Sequence, residues 1–134
     1  MRAQVGIEVV GVVGFAFLIL IPLFAGFYLY SNEYWERLAI ERADNAAGSM
    51  AGMVDMVGVQ GEGMLVQEIV IPDNVDSITV RGNEVALSLS TSWGKTEIVK
   101  GTAHEASWSA GNLGPGSYLV RAEAKGGRVT LELD

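Results

Sequence analysis

The chain has 134 residues, no cysteine and a net charge of -7. A length of this order suits one small domain plus an additional element. The acidic balance argues against nucleic-acid binding, which needs a basic face, and the missing cysteines exclude disulfides, thiol catalysis and thiolate metal sites.

Hydrophobic residues are concentrated at the N-terminal end. Between Val9 and Tyr30, a run of 22 residues, there is no charge. As a helix that run is long enough to span a bilayer. It lacks the layout of a cleavable secretory signal: the charged start is only Met1-Arg2-Ala3, the apolar stretch is too long, and Ser31-Asn32-Glu33 follows where an Ala-x-Ala site would be needed. The run is therefore expected to stay in the mature protein, and Arg2 favours a cytoplasmic N-terminus with the remainder outside. Glu8 stands at the edge of this span. A carboxylate there is either solvated at headgroup level or a functional group in need of a partner.

The segment Arg2-Ala3-Gln4-Val5-Gly6-Ile7-Glu8 resembles the start of archaeal prepilins that carry the class III signal. In that family a basic residue and a small residue precede a glutamine at the cut, and a glutamate follows four residues later. Ala3 stands where glycine is common in the family, and Gly6 where serine is common; both are small. The resemblance implies cleavage between Ala3 and Gln4, so that residues 1–3 are a leader. It also implies a role for Glu8 in pairing with the α-amino group of Gln4 in a neighbouring subunit. Such a pair would set the axial register of a filament, since neither charge is tolerated alone in an apolar core. If Gln4 cyclises, Glu8 would need a hydrogen-bond donor in place of the amine. The related archaellins generally lack this glutamate, which points to an adhesion-type pilus. By the same resemblance the expected partners are copies of the chain itself, a prepilin peptidase, a membrane platform protein and an assembly ATPase. The expected location is a cell-surface filament, with the subunit held in the cytoplasmic membrane before assembly. No cofactor or metal is implied.

One helix is expected over residues 4–58, an apolar anchor over 9–30 and an amphipathic half over 31–58. From Val5 to Val57 it would be roughly 80 Å long. Pro22 removes a donor and crowds the carbonyl of Leu18, so a kink or a melted turn is expected there. Gly11 and Gly14 share a face; they either permit close helix approach or are generic transmembrane composition. Tyr28, Tyr30, Tyr34 and Trp35 cluster at the end of the apolar run like an interfacial aromatic belt. Beyond it, Trp35, Ala39, Ala43, Ala46, Met50, Val54 and Val57 recur at helical spacing and predict a stripe packed on the head. Gly58 and Gly61 mark the stop.

From Met64 the period becomes alternating, predicting an antiparallel β-rich head over 64–134 and, with the helix, an α+β fold; the resemblance implies that its design is type IV pilin-like. Glu68–Ile71 reads as a strand closed by Pro72-Asp73-Asn74. Ser77–Val80 and Glu84–Thr91 read as strands around a Gly82-Asn83 turn. Thr96–Val99 and Glu105–Trp108 are weaker strands, and Ala110–Gly116 is a loop. Ser117–Ala124 and Arg128–Leu133 form a hairpin about Gly126-Gly127. Five to seven strands result.

No catalytic constellation is visible in the head. His104 beside Glu105 has no nucleophile, and a surface strand histidine is the simpler reading. Asp73 and Asp76 around Asn74 are explained by turn chemistry rather than by Ca²⁺. Trp93, Trp108 and Tyr118 could form a sugar-stacking surface, although some of them are expected in the core. Gly114-Pro115-Gly116 is too short and prolyl to cradle phosphate. A membrane-tethered enzyme thus has no candidate residues. A monomeric, membrane-anchored binding module remains the alternative to a pilin; it accounts for the anchor but not for Glu8.

Overall fold

The computed structural model describes residues 2–134. The elements are α1 (Arg2–Gln60), β1 (Gly63–Ile71), β2 (Val75–Thr91), β3 (Gly94–Trp108), β4 (Gly116–Lys125) and β5 (Arg128–Leu133). One long N-terminal helix followed by a five-stranded sheet is the α+β arrangement that the change of period predicts. The chain divides into two compact units, the first ending at Glu36 and the second spanning Arg37–Asp134.

The described residues of the first unit are helix alone. α1 is continuous through Pro22, and every residue from 2 to 30 is exposed.

In the second unit the rest of α1 lies on one face of the sheet. Ala43, Ala46, Met50, Val54 and Val57 of the expected stripe are buried, joined by Ala47, Ala51 and Met53. The stripe starts later than its spacing suggests: Ala39 is half-buried, and Trp35, in the first unit, is 61% exposed. Opposite it, Ile69, Ile71, Ile78, Val80, Val85, Leu87, Leu89, Val120 and Leu131 complete one core. The small alanines of the helix let its axis approach the larger β-sheet side chains. The helix overruns the first of its two expected stop glycines. Gly61, with φ of 75°, takes the left-handed capping conformation and donates its N–H to the Gly58 carbonyl at 3.1 Å, as a glycine beyond a helix end does. Gly58 lies inside the helix.

The strand order is β1-β4-β5-β3-β2. All neighbours are antiparallel except β3 and β5, which pair in parallel from Glu105↔Arg128 to Trp108↔Leu131. The β4–β5 hairpin about Gly126-Gly127 forms as its sequence predicts, and it inserts between β1 and β3. That insertion, invisible to local pattern, creates the parallel pair.

β2 folds back on itself. Seventeen extended residues would span about 55 Å, yet the Ser90 N–H donates to the Asn74 carbonyl at 2.9 Å and the Ser90 hydroxyl donates to Asp76 Oδ2 at 2.6 Å. The reversal falls at Gly82, whose φ is 56°, so the hairpin expected about Gly82-Asn83 is present inside one element. β3 then straddles it. Gly94–Gly101 lies along Glu84–Thr91, whereas Ala106 and Ser107 lie on Gly82 and Arg81. Between the pairs Glu84↔Gly101 and Gly82↔Ala106, β2 moves two residues (84 − 82) and β3 moves five (106 − 101). The surplus carries β3 over the β2 turn, where the Asn83 side-chain amide donates to the Thr102 carbonyl at 3.1 Å. The two weak strands expected at Thr96–Val99 and Glu105–Trp108 are the two arms of β3.

Candidate functional site

The residues that the sequence marks for processing and assembly all lie on the first half of α1. Ala3, Gln4 and Glu8 are exposed. Gln4 and Glu8 are four residues apart and therefore share a helix face, and Gly11 continues that face one turn on. Apart from the adjacent helix backbone, no described residue comes within 4 Å of the positions where side chains at Gly6, Gly11, Gly14 and Gly26 would begin. No described residue pairs with Glu8. Around Pro22 the surface forms a shallow apolar notch, lined by Leu23, Phe24, Gly26, Phe27 and Tyr30, because Gly26 contributes no side chain between two phenylalanines.

α1 is long and apolar enough to cross a membrane, and its most apolar stretch has no part buried within the protein. It is compatible with membrane insertion. Covering each large apolar side chain is worth about 1.5–3 kcal/mol relative to leaving it in water. A surface of this length therefore needs a covering from outside the chain.

The second unit disposes of the other candidate residues differently. His104 is not a free base beside Glu105. Its ring lies on α1, so close that a Cβ at Gly58 would collide with the imidazole Cγ. Next to it Asp55 Oδ1 accepts the Ala103 N–H at 2.7 Å, and His104 Nδ1 is 3.8 Å from the same oxygen. The Thr102 hydroxyl closes the bulge by donating to the His104 carbonyl at 2.7 Å. Lower on the same strand the Lys100 ammonium meets Asp44 at 2.9 Å. These contacts hold β3 to α1 where β3 crosses the β2 turn. The local sequence offered one signal for them, a glycine within the apolar stripe of a helix, which marks a close approach as readily as a stop.

Asp76 is engaged with Ser90, and among the described residues no group of three or more His, Asp or Glu is placed to hold a metal. The three aromatic residues do not act as a set. Trp108 and Tyr118 are half-buried and pack on the core. The Trp108 indole N–H donates to the Gly111 carbonyl, and the Tyr118 hydroxyl donates to the Gly114 carbonyl at 3.0 Å. Trp93 alone stands in solvent. On the outer face of the sheet, Arg121 grips Glu132 through Nη2 at 2.6 Å and Nε at 3.0 Å, with Asp134 at 3.7 Å.

Comparison with known protein families, curated proteins and solved structures finds no match for this chain.

Proposed function

We propose that this chain is a structural subunit of an archaeal type IV-like adhesion pilus. In this reading a prepilin peptidase cuts between Ala3 and Gln4. The apolar helix holds the subunit in the cytoplasmic membrane until a platform protein and an assembly ATPase pass it into the filament. There the helix surface that was covered by lipid is covered by the same surface of other copies, and the sheet-bearing unit is displayed outside. No enzymatic step and no cofactor are assigned to it.

The observation that supports this most is the uncovered, charge-free helix from Val9 to Tyr30 with a single carboxylate at its N-terminal end. Lipid alone would satisfy the apolar part. Glu8 is what favours a polymer, because a bundle of copies supplies what lipid does not: the Gln4 α-amino group of the next subunit. Paired, the two charges fix one axial offset; shifted by a turn, both are stranded in apolar surroundings at a cost of several kcal/mol.

Glu8→Ala is expected to leave cleavage and membrane insertion intact and to abolish filaments. Mass spectrometry of the N-terminus and electron microscopy of sheared cells read the two effects separately. Normal filaments from the variant would remove the pairing role. A native protein found only as membrane monomers with Met1 intact would replace the pilin reading with a monomeric anchored module.

A further inference from the structure

Trp93 is 86% exposed, the most exposed large hydrophobic side chain among the described residues. It occupies the two-residue loop between Thr91 and Gly94, which pair across the β2–β3 hairpin. The loop is held in shape from within. The Thr91 hydroxyl donates to the Gly94 carbonyl at 2.8 Å and accepts from the Trp93 N–H at 3.4 Å. Gly94, with φ of 127°, adopts a conformation that other residues rarely take. An indole is thus presented on a tied tip, left exposed by the described residues.

The position of the tip within the second unit shows what it faces. Ala103 is tied to Asp55 and Lys100 to Asp44, so moving to lower numbers along β3 moves back along α1. From Lys100 to Gly94 the strand covers about 20 Å; from Asp44 back to Arg37 the helix covers only about 10 Å. The tip therefore lies at the Arg37 end of the unit. β1 gives the same answer independently. It starts at Gly63, just past the end of α1, and runs back until Ile69 and Val70 line one groove with Ala46 and Ser49. The turn after β1 then contacts the tip's own strand through Asn74 and Ser90. Arg37 is where the chain enters this unit, and only Ser31–Glu36 separate it from the end of the apolar run at Tyr30.

We infer that Trp93 is an interfacial anchor: in the unassembled subunit the β2–β3 tip rests in the headgroup layer of the lipid bilayer that holds α1. The inference rests on the membrane-inserted stage of the proposed function. Indole suits this layer, with an apolar body and an N–H that finds water or a headgroup oxygen. Tyr28, Tyr30, Tyr34 and Trp35 provide the same chemistry on the helix. The anchor acts through the ring rather than through charge. Lys95 lies opposite Ser90, whose hydroxyl donates to Asp76, so a carboxylate stands near the cation beside the tip, and the contact is expected to need no anionic lipid and to be insensitive to salt.

The test uses the full chain in phosphatidylcholine vesicles, with and without bromine on the acyl chains near the headgroup. The Trp93 emission is obtained as native minus W93F and the Trp35 emission as native minus W35F. The expected result is that bromine quenches the Trp93 component and that the vesicle shields it from aqueous iodide, equally with and without salt. A Trp93 component open to iodide and blind to bromine, while that of Trp35 is quenched, overturns the anchor and leaves the membrane reading standing. Loss of quenching for both overturns the membrane reading and the anchor with it. Shielding from iodide without bromine quenching, lost as protein is diluted in lipid, assigns the tip to a second copy and also overturns it.

Discussion

The two halves of α1 are one unbroken helix with opposite fates. From residue 2 to 30 every side chain is exposed, although this half is the more hydrophobic. Between Ala43 and Val57 eight residues are buried against the sheet, although charged and polar residues are interleaved with them. Burial within a chain thus does not follow hydrophobicity. It follows whether the apolar residues are confined to one stripe that a partner of the same chain can cover. The second half has such a stripe, built on alanines and closed by glycine. The first is apolar all round, and no single sheet face can cover a cylinder.

The sharpest way to separate the halves is to damage one and watch the other. Leu87→Ala removes a fully buried side chain and is expected to cost about 2–5 kcal/mol. Thermal denaturation followed by circular dichroism should show the sheet melting at markedly lower temperature, while membrane fractionation is unchanged. Ile19→Arg, near the middle of the apolar run, should do the reverse: a penalty of about 2.5–3.5 kcal/mol for the membrane, seen as loss from the membrane fraction, with the sheet melting as before. If either variant damages both halves equally, the two compact units are coupled through the helix they share.

A smaller effect sharpens the comparison inside the second half. Gly58→Ala places a methyl group on the His104 ring, and a destabilisation of about 1–2 kcal/mol is expected. In a His104→Ala background the sign should reverse, because alanine is the better helix former by up to about 1 kcal/mol. Chemical denaturation of the four proteins forms the cycle; a Gly58→Ala cost that persists without His104 would assign the glycine another role. The smallest change expected is for Lys100→Ala. Its pair with Asp44 is partly solvated, so a loss of about 0.5 kcal/mol or less should appear at low salt and fade at high salt.

Much of this molecule is written locally. The apolar run, Glu8, the amphipathic stripe, the hairpins at Gly82-Asn83 and Gly126-Gly127, and the strand pattern of Val85, Leu87 and Leu89 all follow from composition, period and turn residues. These depend on neighbours in sequence, and neighbours in sequence are what a linear reading contains. Three things needed the tertiary structure. The β4–β5 hairpin enters between β1 and β3 and makes one parallel pair. β3 crosses the β2 turn and is held there by Asp55, and the fit of His104 on Gly58 makes that glycine part of the packing instead of a helix stop. Of three candidate aromatic residues, packing sets Trp108 and Tyr118, half-buried, against the core and leaves Trp93 outside. Each of these depends on which surfaces meet across dozens of residues, and that is decided by the shape and volume of the assembled core rather than by any local period.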